Sequence, residues 1–120
     1  MEFKVQNLTT SQLKDRLKRD RPYMLVDVRE ADAFIKGHIP GASNMYDGEV
    51  MSMVKKMDKG TDIIVYGSDY CSPNTICNDA AEKFMNLGSK YVYAYEGGLK
   101  GWAASGNRVD RSDSSNKKLT

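Results

Sequence analysis

The sequence predicts a three-layer α/β domain built on a central, mostly parallel five-stranded sheet with helices on both faces. Two observations lead there. Short β-rich runs alternate with segments of helical periodicity, the signature of βαβ units. The strongest of those runs, Tyr23–Val28 and Asp62–Tyr66, are apolar almost throughout, as strands covered on both faces would be. Short connections and right-handed crossovers then restrict the topology to a compact arrangement.

The elements follow in order. Residues Phe3–Gln6 suit a first strand. Thr9 with Gln12 three later matches a capping box, and Leu13 and Leu17 recur at helical spacing until Pro22 stops the helix. After the Tyr23–Val28 strand, Ala31–Lys36 forms a short helix carrying Phe34 and Ile35, and Gly37–Gly41 is a turn-rich connector. Val50, Met53, Val54 and Met57 mark one face of a helix closed by Gly60. Beyond the Asp62–Tyr66 strand, Ile76, Ala80 and Phe84 stack at helical spacing, with Gly88 as the stop. Tyr91–Tyr95 is a further strand whose tyrosines share one face. From Ser105 onward the chain is nearly devoid of apolar residues. It is expected to be disordered and to take no part in the fold, which bounds the domain at 1–107 and leaves a tail over 108–120.

Bulk properties exclude several function classes. A chain of 120 residues is one domain's worth of polypeptide. Its net charge is only +2, and the densest basic stretch, Lys14–Arg21, includes Asp15 and Asp20. That stretch reads as a solvated helix face, so no nucleic-acid partner is expected. No apolar run approaches the ~18 residues of a membrane span, so no membrane partner is expected either. The N-terminus is charged and nothing in it directs the chain elsewhere, so the expected location is the cytoplasm. Two cysteines and one histidine are too few for a four-ligand zinc site. Neither a metal nor a cofactor is implied. The seven methionines read as gap-fillers.

In parallel sheets the reactive crevice lies beyond the carboxyl ends of the strands, where helix N-termini point inward. The segment that fits runs from Tyr66 through Gly67, Ser68, Asp69, Tyr70, Cys71, Ser72 and Pro73 into a helix. Ser72 is expected to cap that helix and Pro73 to fill its first turn, where a missing N–H costs nothing. Cys71 would then meet the positive end of the helix dipole, which favours the nucleophilic thiolate. Amides of Ser72 and of Asn74, Thr75, Ile76 and Cys77 would cradle an anionic sulfur, with the Ser72 and Thr75 hydroxyls as helpers. Gly67, Ser68, Asp69 and Tyr70 would border the pocket. Tyr70 would either wall that pocket or cover the sheet's edge. A lone cysteine before a helix is, as a class, more often an inert buried residue.

The motifs extend further. Leu25-Val26-Asp27-Val28-Arg29-Glu30, Phe34, Gly37-His38-Ile39-Pro40-Gly41-Ala42 and Asn44 resemble the N-terminal signature of rhodanese domains. Glu96-Gly97-Gly98-Leu99 with Gly101-Trp102 is similar to their C-terminal signature. Ile64-Val65-Tyr66 and Ala80-Ala81-Glu82, with Leu87-Gly88, resemble the strand and helix that bracket the family's active-site loop. The resemblance spans Val5 to Gly106. It implies an α/β domain in which a loop cysteine accepts sulfur as a persulfide and passes it to a thiol or to cyanide. It also implies scaffold roles for Asp27, Arg29 and His38.

The family's nucleophile commonly follows the strand directly, where Gly67 stands here. Cys71, however, lies nine residues before Ala80, the family's usual spacing, so about four extra residues lengthen the approach. The family's loop also offers an arginine or lysine, whereas Ser72 to Ile76 contain none. A dianionic donor such as thiosulfate should therefore bind weakly. Phosphatase-like relatives use Cys-x5-Arg, and position 77 is Cys, which disfavours phosphate-ester chemistry. Cys77 reads either as an inner-face helix residue or as a resolving thiol for an oxidised Cys71. Direct bridging is not expected, because a regular helix between the two would hold their Cα atoms too far apart.

The expected function is that of a sulfurtransferase carrying a persulfide on Cys71. The expected partners are a small sulfur donor or a protein persulfide, together with a thiol acceptor. The expected assembly is a monomer or weak homodimer. The alternative is a catalytically weak or inactive rhodanese-like module that binds a protein partner.

Overall fold

The computed structural model describes residues 5–45, 60–69, 71 and 75–111. The expected helix over Val50–Met57, the start of the first strand at Phe3, and residues Tyr70, Ser72, Pro73, Asn74 and 112–120 lie outside the described residues.

Among the described residues nine elements follow one another: β1 (Gln6–Leu8), α1 (Thr10–Lys18), β2 (Tyr23–Asp27), α2 (Ala31–Lys36), β3 (Ser43–Asn44), β4 (Asp62–Tyr66), α3 (Ile76–Asn86), β5 (Tyr91–Tyr95) and α4 (Gly98–Ala104). The five strands form one sheet in the order β1-β5-β4-β2-β3, and all four pairings are parallel. β4 therefore lies between β5 and β2, and every one of its five residues is buried.

Alternation along the strands divides the interior into two cores. Val26, Ile63, Val65, Val92 and Ala94 point to one face, where Cys77, Ala80, Ala81 and Phe84 of α3 cover them. Leu25, Ile64, Tyr66, Tyr93 and Tyr95 point to the other, covered by Leu13 of α1 and Trp102 of α4. The inner face of α3 is thus 77/80/81/84, which keeps Ala80 and Phe84 of the expected stripe and replaces Ile76 by Cys77. Ile76, at the first position of the helix, is 57% exposed. The Thr9–Gln12 capping box is formed as the spacing predicts. The Lys14–Arg21 stretch is not simply solvated. Arg16 and Arg21 pair with the buried Asp62 at the start of β4 and lie over the rings of Tyr93 and Tyr91.

The chain beyond Ser105 departs from expectation. Trp102 Nε1 donates to the Arg108 carbonyl at 2.6 Å, and His38 and Asp110 exchange both backbone hydrogen bonds at 2.9 Å. Val109 packs against the second core. Residues 105–111 are therefore part of the fold. One indole N–H, one bridge and one valine suffice to order a polar segment whose composition alone indicates disorder.

A buried polar network ties the carboxyl ends of β2 and β3 to the connector at Gly37. Asp27, fully buried at the end of β2, accepts from Arg29 in a forked ion pair, with Nη2 to Oδ2 at 2.7 Å and Nε to Oδ1 at 3.0 Å. Arg29 also donates to the Gly37 carbonyl. Asn44 Nδ2 donates to the carbonyls of Asp27 and Arg29, which fixes β3 beside β2. Burial works against the Arg29 charge, but the Asp27 carboxylate more than offsets it and raises the guanidinium pKa. His38 is 6% exposed, stacks on Phe34 at 3.9 Å and bonds the Phe34 carbonyl through Nδ1.

Replacing Arg29 by methionine strands the Asp27 carboxylate in the interior. Arg29→Met is expected to cost about 3–5 kcal/mol in urea denaturation, with little change in the slope of the transition.

Candidate functional site

A crevice of about 670 Å³ opens beyond the carboxyl ends of β2 and β4. One wall is Val28, Arg29 and Glu30 with Asp32, Ala33 and Lys36 of α2, and the other is Gly67, Ser68 and Asp69. Thr75, Ile76 and Cys77 at the start of α3 complete it. This is the position that a parallel sheet makes reactive, because strand ends and a helix N-terminus converge there.

The segment after β4 is pinned before it reaches Cys71. The Gly67 and Ser68 carbonyls accept from the amides of Leu99 and Lys100 at 2.9 and 3.0 Å, so α4 holds the loop from the side. Gly98 adopts φ +63°, and a side chain there would strike the Ser68 and Asp69 carbonyls. The Gly97-Gly98 pair thus has a mechanical reason. Glycine lets α4 begin against the loop backbone.

Helix α3 begins later than the sequence indicates. Thr75 is its N-cap and accepts from the Asn78 amide at 3.2 Å, so the helix starts at Ile76 and neither Ser72 nor Pro73 occupies its first turn. Cys77, second in the helix, sits at the positive end of the dipole where Cys71 was expected.

The two cysteines form a disulfide, with Cα atoms 5.2 Å apart. This corrects the expectation that they could not bridge. Six residues of regular helix would span about 9 Å, but the helix begins only at Ile76, so no regular helix joins the two cysteines. Cys71 is 6% exposed and packs within the first core, so the outward-facing thiol expected at that position is absent in this state. Cys77, 2% exposed, packs in the same core and also borders the crevice. Both readings of Cys77 therefore meet in one residue. It belongs to the inner face of α3, and it is bonded to Cys71.

The structure brings Gly67, Ser68, Asp69, Thr75, Ile76 and Cys77 together around the crevice. Sequence reasoning missed its second wall, Val28 to Lys36. The signal lay in strand order. Once β2 neighbours β4, the residues following both strands must face one another. Three carboxylates line the crevice, Glu30, Asp32 and Asp69, against the cations Arg29 and Lys36. Arg29 is already committed to Asp27, and Lys100 stands 4.0 Å from Asp69. On the opposite core, the Tyr66 hydroxyl accepts from the Ile39 amide at 3.0 Å. Burial and then the Asp27 charge push its phenol up, so Tyr66 stays neutral and structural.

Comparison with known proteins places this arrangement. A family model described as the rhodanese-like domain matches residues 9–105. The rhodanese-like domain of the Alr3790 protein from Anabaena sp. superposes with a TM-score of 0.66 at 29% identity, covering 82% of this chain and 91% of that one. A rhodanese-related protein from Thermoplasma volcanium shares the fold at 24% identity and a TM-score of 0.70, covering 88% of this chain and 97% of that one. A thiosulfate sulfurtransferase from Pseudomonas aeruginosa shares it at 20% identity and a TM-score of 0.76, with 91% of this chain matched to 21% of that one. With a five-stranded parallel sheet, the Asp27–Arg29 fork and a strand-end crevice, the chain belongs to the rhodanese-like domain family.

Proposed function

We propose that the protein is a sulfurtransferase that works in its dithiol state and carries sulfur as a persulfide on Cys71. The observation that carries this reading is that Cys77 lines the crevice at the start of α3 and that Cys71 is bonded to it. Reduction frees Cys71 at the family's spacing from Ala80, between the α4 amides that hold Gly67 and Ser68 and the Thr75 cap of α3. The amides of Ile76 and Cys77 open helix α3 and lack intrahelical acceptors, so they suit an anionic sulfur. In this reading Ser72, Asn74 and Thr75 would extend that cradle in the reduced chain. The donor is a small sulfur compound or a protein persulfide, and the acceptor is a thiol. A reducing compartment such as the cytoplasm would hold the pair in its working form.

The charge of the crevice bears on the donor. Carboxylates at Glu30, Asp32 and Asp69, and a loop without lysine or arginine, oppose a dianion. A second reading, a binding module without turnover, is favoured by the burial of Cys71 in a closed disulfide.

Three outcomes test the proposal. After reduction and removal of the reductant, inorganic polysulfide is expected to add one sulfur to the peptide containing Cys71 in a Cys77→Ser chain, read by mass spectrometry. Cys71→Ser is expected to abolish that addition, and a modification that survives the substitution would refute the assignment. A reduced chain that neither takes up sulfur nor releases sulfide would favour the binding module. Among donors, a monoanionic thiosulfonate is expected to load the chain faster than thiosulfate, and the gap is expected to narrow at high salt as screening weakens the repulsion. Finally, opening the short Cys71–Cys77 loop is expected to lower stability by about 2 kcal/mol, measured as the shift in urea midpoint with and without reductant.

A further inference from the structure

We infer that the protein releases the transferred sulfur as sulfide, Cys77 displacing it from Cys71 and closing the disulfide seen in the structure. The inference rests on the sulfur-carrying reading of Cys71 and adds a second activity at the same site, the reduction of sulfane sulfur.

The cysteine pair carries the argument. A persulfide on Cys71 presents two sulfurs, and a thiol can attack either. Attack on the outer sulfur moves it to the new thiol, whereas attack on the inner sulfur expels it. The product of inner attack by Cys77 is a Cys71–Cys77 disulfide, and that bond is present. Its two Cα atoms are 5.2 Å apart, within the range a disulfide needs, and Cys77 sits on a formed helix inside a packed core. The attacking sulfur is thus held in bonding range of its target. Such positioning converts an encounter between molecules into an intramolecular step.

The electrostatics of the helix favour the same direction. Cys77 is the second residue of an eleven-residue helix capped by Thr75, at the positive end of the helix dipole, where a negative sulfur is favoured. The helix thus places the resolving sulfur where attack as an anion is supported. Cys77 also borders the crevice, which gives the expelled sulfide a route to solvent.

The chemistry balances. A sulfane donor such as a thiosulfonate gives its terminal sulfur to the Cys71 thiolate, forming an S–S bond and leaving a sulfinate. The Cys77 thiol then loses its proton and bonds to Cys71 Sγ. The outer S–S bond breaks, and its electron pair departs with the outer sulfur, which takes the proton as hydrosulfide. The outer sulfur is reduced by two electrons, and the two cysteine sulfurs are oxidised by two. A dithiol reductant reopens the disulfide by exchange and itself becomes a cyclic disulfide. The net reaction is sulfane sulfur plus dithiol giving hydrogen sulfide plus disulfide.

The test uses the reduced full chain, freed of thiols, and benzenethiosulfonate, whose leaving group contains no sulfide. Wild type is expected to release one sulfide per chain and to end as the Cys71–Cys77 disulfide. Cys77→Ala and Cys77→Ser are each expected to keep the added sulfur on Cys71 and to slow sulfide release by at least about tenfold, since an external thiol lacks the effective concentration of a tethered one. Sulfide release at the wild-type rate in both variants would overturn the inference and leave the persulfide reading intact. So would an added sulfur recovered on Cys77 in wild type without sulfide in solution, the mark of outer attack. Failure of both Cys77 variants to take up sulfur on Cys71, when circular dichroism shows them folded, would instead remove the persulfide reading on which the inference stands.

Discussion

The carboxylate of Asp27 sits wholly inside the protein, and it is tolerable there only because Arg29 grips both its oxygens. The same guanidinium reaches the Gly37 carbonyl, and Asn44 reaches back to the carbonyls of Asp27 and Arg29. Three connections that would otherwise diverge are thereby gathered at one end of the sheet. The crevice exists because of that constraint. Its first wall, Val28 to Lys36, leaves β2 through the fork itself. Arg29 is therefore a border residue of the crevice whose charge is spent inward, which leaves the cavity more acidic than its residue list suggests.

The opposite wall is held differently. Among the described residues, the segment after β4 is fixed by its backbone. Two of its carbonyls accept from the start of α4, and glycine at 98 permits the close approach. The far end is fixed by Thr75, which delays α3 until Ile76. Between those anchors Cys71 is buried in the first core and bonded to Cys77.

Most of the scaffold was legible in the sequence because its elements obey local rules. Apolar runs at 23–28 and 62–66 announce strands covered on both faces, and the Thr9–Gln12 box announces a helix start. Misreadings arose where a local rule met a longer-range one. Ser72-Pro73 is a good helix opening taken alone, but Thr75 caps more effectively once α3 must seat Cys77, Ala80, Ala81 and Phe84 on the sheet. Residues 105–111 lack the apolar content that predicts order, yet Trp102 and His38 recruit them. Hydrogen bonds of that kind have no sequence period and leave no local trace.

By itself the sequence determined the family, the two-faced parallel sheet and the identity of the scaffold residues, since periodicity and motif order are properties of adjacent positions. Only the tertiary structure decided which walls face each other, where α3 begins, and that the two cysteines are joined. Those facts depend on strand order and on the path of a loop, and both are set by the competition of distant segments for the same core.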